Sequence, residues 1–302
     1  MEPTLTGLRV LREVAERGTF TASAVALGYT QSAVSRQAAA LERAAGATLF
    51  DRRPDGVRLT PAGRSLLAHA AVVLDELDAA ERELRGQPCD GAIVHLGMFI
   101  SAGAVMVPGA LGALRRTHPE ITVTTREGTT PSLLRALRAR TVDLAILSSR
   151  PPYRPPDDET PPVELETLAE TTLLVAVPAA GAFAGRATVS VEELSDQTWI
   201  ASPPSGSEPL LGVWPGLAGR PRVGHTARDW LTKLHLVAAG CGVTTVPAGL
   251  SCAVPAGVRV LTVRGGSQER RRTLLASLPG PRSEPVAALA RMLHQESDSL
   301  RV

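Results

Sequence analysis

Apolar residues near the amino end recur at helical spacing and predict two short helices separated by a tight turn. The first helix is predicted to begin at Thr21, whose hydroxyl can cap it, and the turn falls at Gly28, which tolerates positive φ. The second helix is predicted to follow a second capping residue, Thr30, and to end near Ala45. The residues expected to face inward are Ala22, Val25 and Ala26 on the first helix, and Val34, Ala38, Leu41 and Ala45 on the second.

The opposite face of the second helix carries polar side chains close to its beginning. Gln31, Ser32, Ser35 and Arg36 lie there, beside the cap Thr30. Amide, hydroxyl and guanidinium groups read base edges and hold phosphates when a helix enters the major groove with its N-terminus first. An ordinary helical hairpin with a solvated polar face would show the same pattern, so the two helices alone leave both interpretations open.

Two short runs with apolar residues, 48–53 and 57–60, flank an Asp-Gly turn and predict a β-hairpin. A hairpin that follows a reading helix is a wing, and Arg52 and Arg53 are expected to contact the DNA backbone or the minor groove. The first 65 residues contain nine arginines against six acidic residues, a local net charge of +3 that suits a polyanion. These features favour a winged helix-turn-helix over a plain helical hairpin.

A long amphipathic segment follows the hairpin and predicts a helix over residues 61–88. Thr60 is its expected cap and Pro61 its first residue, while Gly86 and Pro88 mark its end. Apolar residues along it alternate steps of four and three, which is typical of a helix that pairs with a second copy. They are Leu66, Ala70, Val73, Leu77, Ala80 and Leu84. A helix packed only on its own domain is the alternative.

From Gly91 onward, strands and helices alternate, which predicts two α/β lobes. The strand-helix order over 92–147 is βαβαβ and predicts a parallel sheet covered by helices in the first lobe. Lobe I is predicted over about 89–162 and 266–302, and lobe II over about 163–265, with a Pro-rich crossover at 150–162. The predicted strands are 92–99, 121–127, 143–147, 172–177, 199–201, 222–225, 242–246 and 271–278, and the predicted helices are 102–117, 131–140, 227–239 and 284–296.

Hydroxyl residues recur where these predicted strands end. In open α/β sheets, ligands bind beyond the carboxyl ends of the strands, where helix N-termini offer N–H groups that favour an anion such as a carboxylate. We therefore expect a small molecule between the lobes, contacted by Ser101, Thr129, Thr130, Ser148, Ser149, Ser202, His225 and Thr226. Helix capping by Ser101 and Thr130 is the alternative explanation for those two hydroxyls.

Composition narrows the class of protein. The 302 residues suffice for two or three compact units, and a net charge of only +2 excludes a polybasic coat protein. The chain begins without a basic and apolar leader, and its most apolar run, 102–114, is too short to span a membrane. We therefore expect a soluble cytoplasmic protein with no membrane partner.

Sulfur, metal and enzyme chemistry have little support in the sequence. Cys89, Cys241 and Cys252 are too few for a disulfide framework, although a redox pair of Cys241 and Cys252 is an alternative to simple packing. The six histidines lack metal-ligand spacing. Nucleophile-elbow, phosphate-loop and dinucleotide motifs are also lacking, so we expect no cofactor and no enzymatic activity.

The segment 21–63 resembles the N-terminal signature of LysR-type transcriptional regulators. The matching features are the Ala-rich first helix, the Gln-Ser-x-x-Ser-Arg opening at 31–36, the Leu-Glu pair at 41–42 and Leu-Phe-Asp-Arg at 49–52. Weaker matches in the family's order cover 107–128, 133–147 and 236–250. The chain departs from the family's usual pattern at Arg140-Thr141 and at 181–183, which warns against borrowing the ligand of any one relative.

The resemblance implies an α+β fold: a winged helix-turn-helix DNA-binding domain at 1–60, a linker and dimerisation helix at 61–88, and a two-lobed α/β effector-binding domain at 89–302, similar to periplasmic solute-binding proteins. It implies sequence-specific binding to double-stranded promoter DNA and a small-molecule effector in the interlobe cleft. It further implies assembly into a homodimer or a tetramer, and contact with RNA polymerase. A winged-helix regulator with a vestigial cleft and no effector remains the alternative.

Overall fold

The computed structural model describes residues 3–84, 91–151, 153, 155–157, 159, 161–203, 211–265 and 269–299. Its N-terminal unit consists of helices α1 (Leu5–Arg17), α2 (Phe20–Leu27) and α3 (Gln31–Ala45), followed by strands β1 (Phe50–Arg53) and β2 (Gly56–Leu59). All five elements share one hydrophobic core, to which Val10, Leu11 and Val14 of α1 contribute. Helix α1 precedes the helices that the sequence pattern predicts.

The predicted reading helix and hairpin are confirmed. Thr30 caps α3, because its Oγ1 accepts the N–H of Ala33 at 3.2 Å. Strands β1 and β2 are antiparallel and paired, with a two-residue turn between Arg53 and Gly56. The inward stripe of α3 is confirmed for Val34, Ala38 and Leu41, whereas Ala45 is exposed because the helix ends there.

The predicted start and buried face of α2 are wrong. The cap is Thr19, whose Oγ1 accepts the N–H of Ala22 at 3.1 Å, and not Thr21. The helix therefore begins at Phe20, whose ring packs edge-on against the ring of Phe50, with the two centroids 5.7 Å apart. The buried residues are Phe20, Ser23 and Ala24, whereas Ala22 is half-buried and Val25 and Ala26 are exposed.

Helix α4 (Pro61–Leu84) follows the wing, capped by Thr60, whose Oγ1 accepts the N–H of Gly63 at 3.0 Å. At about 1.5 Å per residue its 24 residues span roughly 36 Å. The apolar residues predicted to recur along one side of this helix differ in burial. Ala70 is buried within the chain, Leu66 and Leu77 are half-buried, and Val73, Ala80 and Leu84 are exposed. The predicted end of this helix at Gly86 and Pro88 lies outside the described residues.

The remaining elements form the two-lobed α/β domain. Its helices are α5 (Ile100–Val105), α6 (Val107–Thr117), α7 (Thr130–Arg138), α8 (Val191–Ser195), α9 (Trp230–Ala238), a 3-10 helix (Ala248–Ala253) and α10 (Glu284–Ser299). Its strands are β3 (Ile93–Met98), β4 (Thr122–Glu127), β5 (Leu144–Ser149), β6 (Glu164–Pro178), β7 (Thr188–Ser190), β8 (Thr198–Ala201), β9 (Arg222–Thr226), β10 (Thr244–Pro247), β11 (Val258–Arg264) and β12 (Arg270–Ser277). No helix in the described part of the chain is long and apolar enough to cross a bilayer.

The predicted parallel arrangement of the first lobe is confirmed, with β3 between β4 and β5 and parallel to both. The helix predicted at 102–117 is two helices, α5 and α6, which meet at Met106. Pro108 lies in the first turn of α6, where its missing N–H costs nothing but where it cannot continue α5. Helix α8 and strands β7 and β11 were absent from the prediction.

The long strand β6 connects the lobes. Its first half pairs with β12 and its second half pairs with β10 and β11, so that one strand of 15 residues belongs to both lobes. The predicted strand at 172–177 covers only the second half, because charged residues interrupt the apolar pattern of the first half. Lobe II is completed by β8 and β9, which are parallel, and by a bridge from Trp199 of β8 to Val243.

Candidate functional site

The outward face of α3 presents the predicted reading residues to solvent. Thr30, Gln31, Ser32 and Arg36 are exposed and Ser35 is half-buried. The Thr30 and Ser32 hydroxyl oxygens lie 3.1 Å apart, which holds both at the start of the helix. Within the described part of the chain, Arg36 makes no ion pair, so its guanidinium remains available to an external acceptor.

The two predicted wing arginines are exposed but held in place, one by a ring of α2 and the other by a carboxylate of the wing. The Arg52 guanidinium lies over the Phe20 ring, 5.0 Å from its centroid, and Arg53 Nε donates to Asp51 Oδ2 at 2.8 Å. The Asp51 carboxylate raises the pKa of Arg53 above its ordinary value, so this arginine stays charged. The wing therefore presents two cations in defined positions beside α3.

Glu42 is a residue of this site that the sequence interpretation did not assign. Its Oε1 accepts the backbone N–H groups of Leu49 at 2.9 Å and of Phe50 at 3.2 Å. These two bonds join the end of α3 to the beginning of the wing and so fix the position of the wing relative to the reading helix. The Leu-Glu pair at 41–42 was the available signal: Leu41 is buried in the core and Glu42 holds the wing.

The predicted cleft residues of lobe I lie at one edge of its sheet. Strands β3, β4 and β5 are parallel, so their carboxyl ends lie at the same edge. Ser101 follows β3, Thr129 and Thr130 follow β4, and Ser148 and Ser149 are the last two residues of β5. In lobe II, Ser202 directly follows β8, and Thr226, preceded by His225, ends β9 beside Ala201. Thr129, Ser148, His225 and Thr226 are exposed, and the other four are half-buried.

Helix capping does not account for Ser101 and Thr130. The N-cap of α5 is Phe99 and the N-cap of α7 is Thr129, and neither helix has a side-chain cap hydrogen bond. The Thr129 hydroxyl instead donates to Ser132 Oγ at 3.3 Å. The N–H groups of Thr130 and Ser132 are therefore left without a side-chain acceptor from the cap residue, which suits an anion, while Pro131 between them has no N–H.

Ser148 and Ser149 face different surroundings because neighbouring residues of a strand point to opposite faces. Ser149 is paired with Arg272 of β12 and lines a separate cavity of about 420 Å³ next to the crossover. In that cavity the Arg272 guanidinium stacks on the Tyr153 ring, 3.8 Å from its centroid. Only one of the two serines can thus serve the interlobe edge, and Ser148 is the exposed one.

Lys233 of α9 was also absent from the sequence interpretation. It is 1% exposed, and its Nζ donates to Ser202 Oγ at 2.7 Å and lies 4.9 Å from the centroid of the Trp230 ring. Burial lowers the pKa of Lys233 to about 8, and the nearby Asp229 carboxylate only partly opposes this shift. Ser202, a predicted cleft residue, is therefore hydrogen-bonded to a buried cation.

The winged unit also contacts lobe I through Glu16, which is 6% exposed near the end of α1. The Arg126 guanidinium of β4 forms an ion pair with the Glu16 carboxylate, and Arg135 Nε of α7 donates to the Glu16 backbone oxygen at 3.0 Å. These two arginines lie on the elements that flank Thr129 and Thr130. The cleft edge and the winged unit are therefore connected through β4 and α7.

Comparison with known proteins gives matches over nearly the whole chain. The family model described as "Bacterial regulatory helix-turn-helix protein, lysR family" matches residues 5–64, and the model described as "LysR substrate binding domain" matches residues 91–298.

Two curated relatives and one solved structure illustrate the similarity. The probable hydrogen peroxide-inducible genes activator of Mycobacterium avium is 29% identical and aligns over 82% of this chain and 78% of its own length. The HTH-type transcriptional regulator TfdS of Cupriavidus pinatubonensis is 30% identical, over 81% of this chain and 82% of its own. Full-length CbnR complexed with its target DNA has a TM-score of 0.57 at 21% identity, over 97% of this chain and 99% of that one, and at this identity the likeness describes the fold.

Proposed function

The chain belongs to the LysR family of bacterial transcriptional regulators, and from that premise we propose that α3 and the wing read promoter DNA under the control of a small-molecule effector held between the lobes. In this proposal the protein acts in the cytoplasm, where its promoters lie, and changes transcription there through RNA polymerase. The observation that carries the proposal is the exposed polar face of α3, where Arg36 makes no ion pair with a described residue, together with two wing arginines held in place.

The DNA contacts divide into two kinds by chemistry. Arg36 is the strongest candidate for a base-edge contact, since a guanidinium can bond a guanine with two parallel hydrogen bonds, and Gln31, Ser32 and Ser35 are the further candidates. Thr30, Arg52 and Arg53 are assigned to the phosphates or the minor groove, because they lie at the edges of the reading surface. The phosphate contacts position α3, and the base contacts specify the site.

A second copy of the chain is assigned to the exposed apolar side of α4. Val72 is 67% exposed there, and Val73, Ala80 and Leu84 are also exposed, on a helix whose other side is buried against α1. Pairing through this side would bury them and hold two reading helices at a fixed distance, which raises affinity for a paired site.

The effector is assigned to the edge formed by Ser101, Thr129, Thr130 and Ser148 of lobe I and by Ser202, His225 and Thr226 of lobe II. An acceptor group such as a carboxylate fits these hydroxyls and the uncapped start of α7. Binding would be communicated to the winged unit through Arg126 and Arg135, which hold Glu16. The effector can shift the equilibrium between two arrangements only by its difference in affinity for them.

Oxidant sensing is the second candidate input, because one relative is named for induction by hydrogen peroxide. Cys241 is a free, half-buried thiol, and the side chain of its potential partner Cys252 lies outside the described residues. Peroxide treatment of the wild type and of Cys241→Ser separates this input from a bound effector: loss of the DNA-binding response only in the variant supports the thiol.

Thermal unfolding of the full chain against a panel of small metabolites tests the effector proposal. A specific stabiliser whose effect is weakened by Ser101→Ala and Thr130→Ala, and which alters binding to promoter DNA, supports it. A protein that binds promoter DNA but is stabilised by no metabolite favours the vestigial cleft.

A further inference from the structure

The chain has 32 Lys and Arg residues, and Lys233 is the single lysine among them. Among the basic residues that the structure describes, Lys233 alone is fully buried. Burial removes an ammonium group from water, which costs free energy unless acceptors replace the lost hydration. The position of this lysine therefore requires either an acceptor within the protein or one from outside it.

The described residues supply only part of what a buried ammonium group requires. Lys233 Nζ has three N–H donors, and its one hydrogen bond within the described part of the chain goes to Ser202 Oγ. The face of the Trp230 ring is near, but no carboxylate of a described residue lies within 4.0 Å of Nζ. Among the described residues, the carboxylate that acts on the Lys233 charge is that of Asp229, and this carboxylate accepts the N–H of Thr232 at 2.7 Å.

The contact with Lys233 determines how Ser202 can act. An ammonium group only donates, so the Ser202 oxygen must accept, and the Ser202 hydroxyl hydrogen is left to donate to another group. Ser202 lies beyond the carboxyl end of β8, next to the end of β9, where lobe II faces the predicted cleft. The lysine charge strengthens the Ser202 hydroxyl as a donor, because hydrogen bonds aided by charge are the stronger ones.

Lobe I approaches this part of α9. Trp230 and Val105 pack against the same hydrophobic cluster, which contains Leu234, the residue after Lys233. Val105 ends α5, the helix whose first turn carries Ser101. The helices that carry Lys233 and Ser101 therefore border the same hydrophobic cluster, which extends across the boundary between the lobes.

We propose that Lys233 is the charge-recognising residue of the cleft and that the effector is a small oxyanion, whose oxygen accepts the Ser202 hydrogen bond in front of the buried ammonium. This inference rests on the proposed function and deepens it, because it assigns the residue that recognises the charge of the effector. Lys233 and Ser202 act as a unit: the lysine supplies the charge and the serine makes the contact.

A single lysine allows a direct test in the full-length protein. Labelling with ¹³Cε-lysine gives one side-chain signal, whose position reports the protonation and surroundings of Lys233. The probes are acetate, succinate, benzoate and sulfate, and the neutral controls are acetamide and benzamide. We expect at least one anion to shift this signal and to raise the pH at which Lys233 titrates, and its neutral counterpart to do neither. A lysine signal unaffected by all four anions would overturn the inference.

Substitutions distinguish this inference from the proposed function. Lys233→Met should lower affinity for the active anion by at least about tenfold, as loss of a charge-assisted bond predicts, while its melting temperature stays the same or rises. His235→Gln, on the exposed side of the same helix, should leave both affinity and melting temperature unchanged. If Ser101→Ala weakens binding of the anion but Lys233→Met does not, the regulator proposal stands and the role of the lysine is refuted.

Discussion

Arg36 and Lys233 are both cations, but the fold places them in opposite surroundings. Arg36 is exposed and meets no carboxylate among the described residues, so it keeps its full hydration until an external acceptor replaces it. Lys233 is buried behind a single hydroxyl and keeps its charge at a cost. Exposure suits a residue that must find a large polyanion, and burial suits one that must select a small anion.

Arg36→Ala should weaken binding to the specific DNA site by roughly 1–3 kcal/mol and relax the base preference at one position of each half-site. Fluorescence anisotropy against a set of single-base variants of the site measures both effects. Arg43→Ala, an exposed arginine in the last turn of the same helix, is the matched control and should weaken binding less and without change in base preference. Wild-type affinity of the Arg36 variant for every sequence would remove this residue from the site.

The charge of Lys233 should make stability depend on pH in the alkaline range. Because its pKa is lowered from 10.5 to about 8, the unfolded chain binds more protons than the folded one between these values. The destabilisation is fully present below pH 8 and is relieved as the pH rises toward 10.5, by up to about 3 kcal/mol at 1.36 kcal/mol per pKa unit. Urea unfolding of wild type and Lys233→Met should give a difference that shrinks over this range. A constant difference would show that the lysine is not desolvated.

At the scale of elements, local signals were sufficient for α3 and insufficient for α2. Thr30, the apolar repeat and Gly46 all lie within or next to α3, so its bounds follow from neighbouring residues. The buried face of α2 depends on the ring of Phe20 meeting Phe50, 30 positions away, which no local pattern contains. Similarly, β6 is a continuous strand because β12 and β10 arrive from distant parts of the chain and pair with its two halves.

The residues of the candidate site likewise differ in whether the local sequence identifies them. The exposed hydroxyls and arginines could be identified from motif order and from the ends of predicted strands. Glu16 and Lys233 could not, because each reads locally as a solvated charge on an amphipathic helix. Glu16 is buried beside Arg126, and Lys233 is buried beside Ser202. Only the tertiary fold brings these partners close.

The exposed side of α4 leads to a prediction about assembly. Val72→Asp should shift the protein toward monomers and weaken binding to a paired DNA site, because a charge would be buried in the interface. Leu231→Asp in α9 is the matched control, since Leu231 is 66% exposed and Val72 is 67% exposed. Analytical ultracentrifugation measures the distribution of species. Dissociation by both variants, or by neither, would argue against α4 as the dimer contact.

At the scale of the whole molecule, one contact connects the two functions. Glu16 lies in the winged unit, and the arginines that hold it lie on either side of Thr129 and Thr130. A ligand that moves the start of α7 would therefore also move Arg135 and the end of α1. The structure thus offers a short physical route from the cleft edge to the reading domain.

Glu16→Gln should loosen this connection, because the neutral amide cannot form the ion pair with Arg126. We expect faster amide hydrogen exchange in the last turn of α1 and in α7, with the core of each lobe unaffected. Glu13→Gln is the control, since Glu13 pairs with Arg17 within the same helix at 3.1 Å. Unchanged exchange in the Glu16 variant would show that the contact does not hold the domains together.

Selection of DNA sites by the purified full-length protein from a pool of random duplexes tests whether α3 and the wing recognise a DNA sequence. We expect an enriched site with two related half-sites, separated by about one helical turn (roughly 10 bp) or a multiple of it, and we expect this enrichment to be lost when Arg36 is replaced by alanine. A pool with no enriched sequence, or one whose enrichment is unchanged by Arg36→Ala, would contradict this expectation.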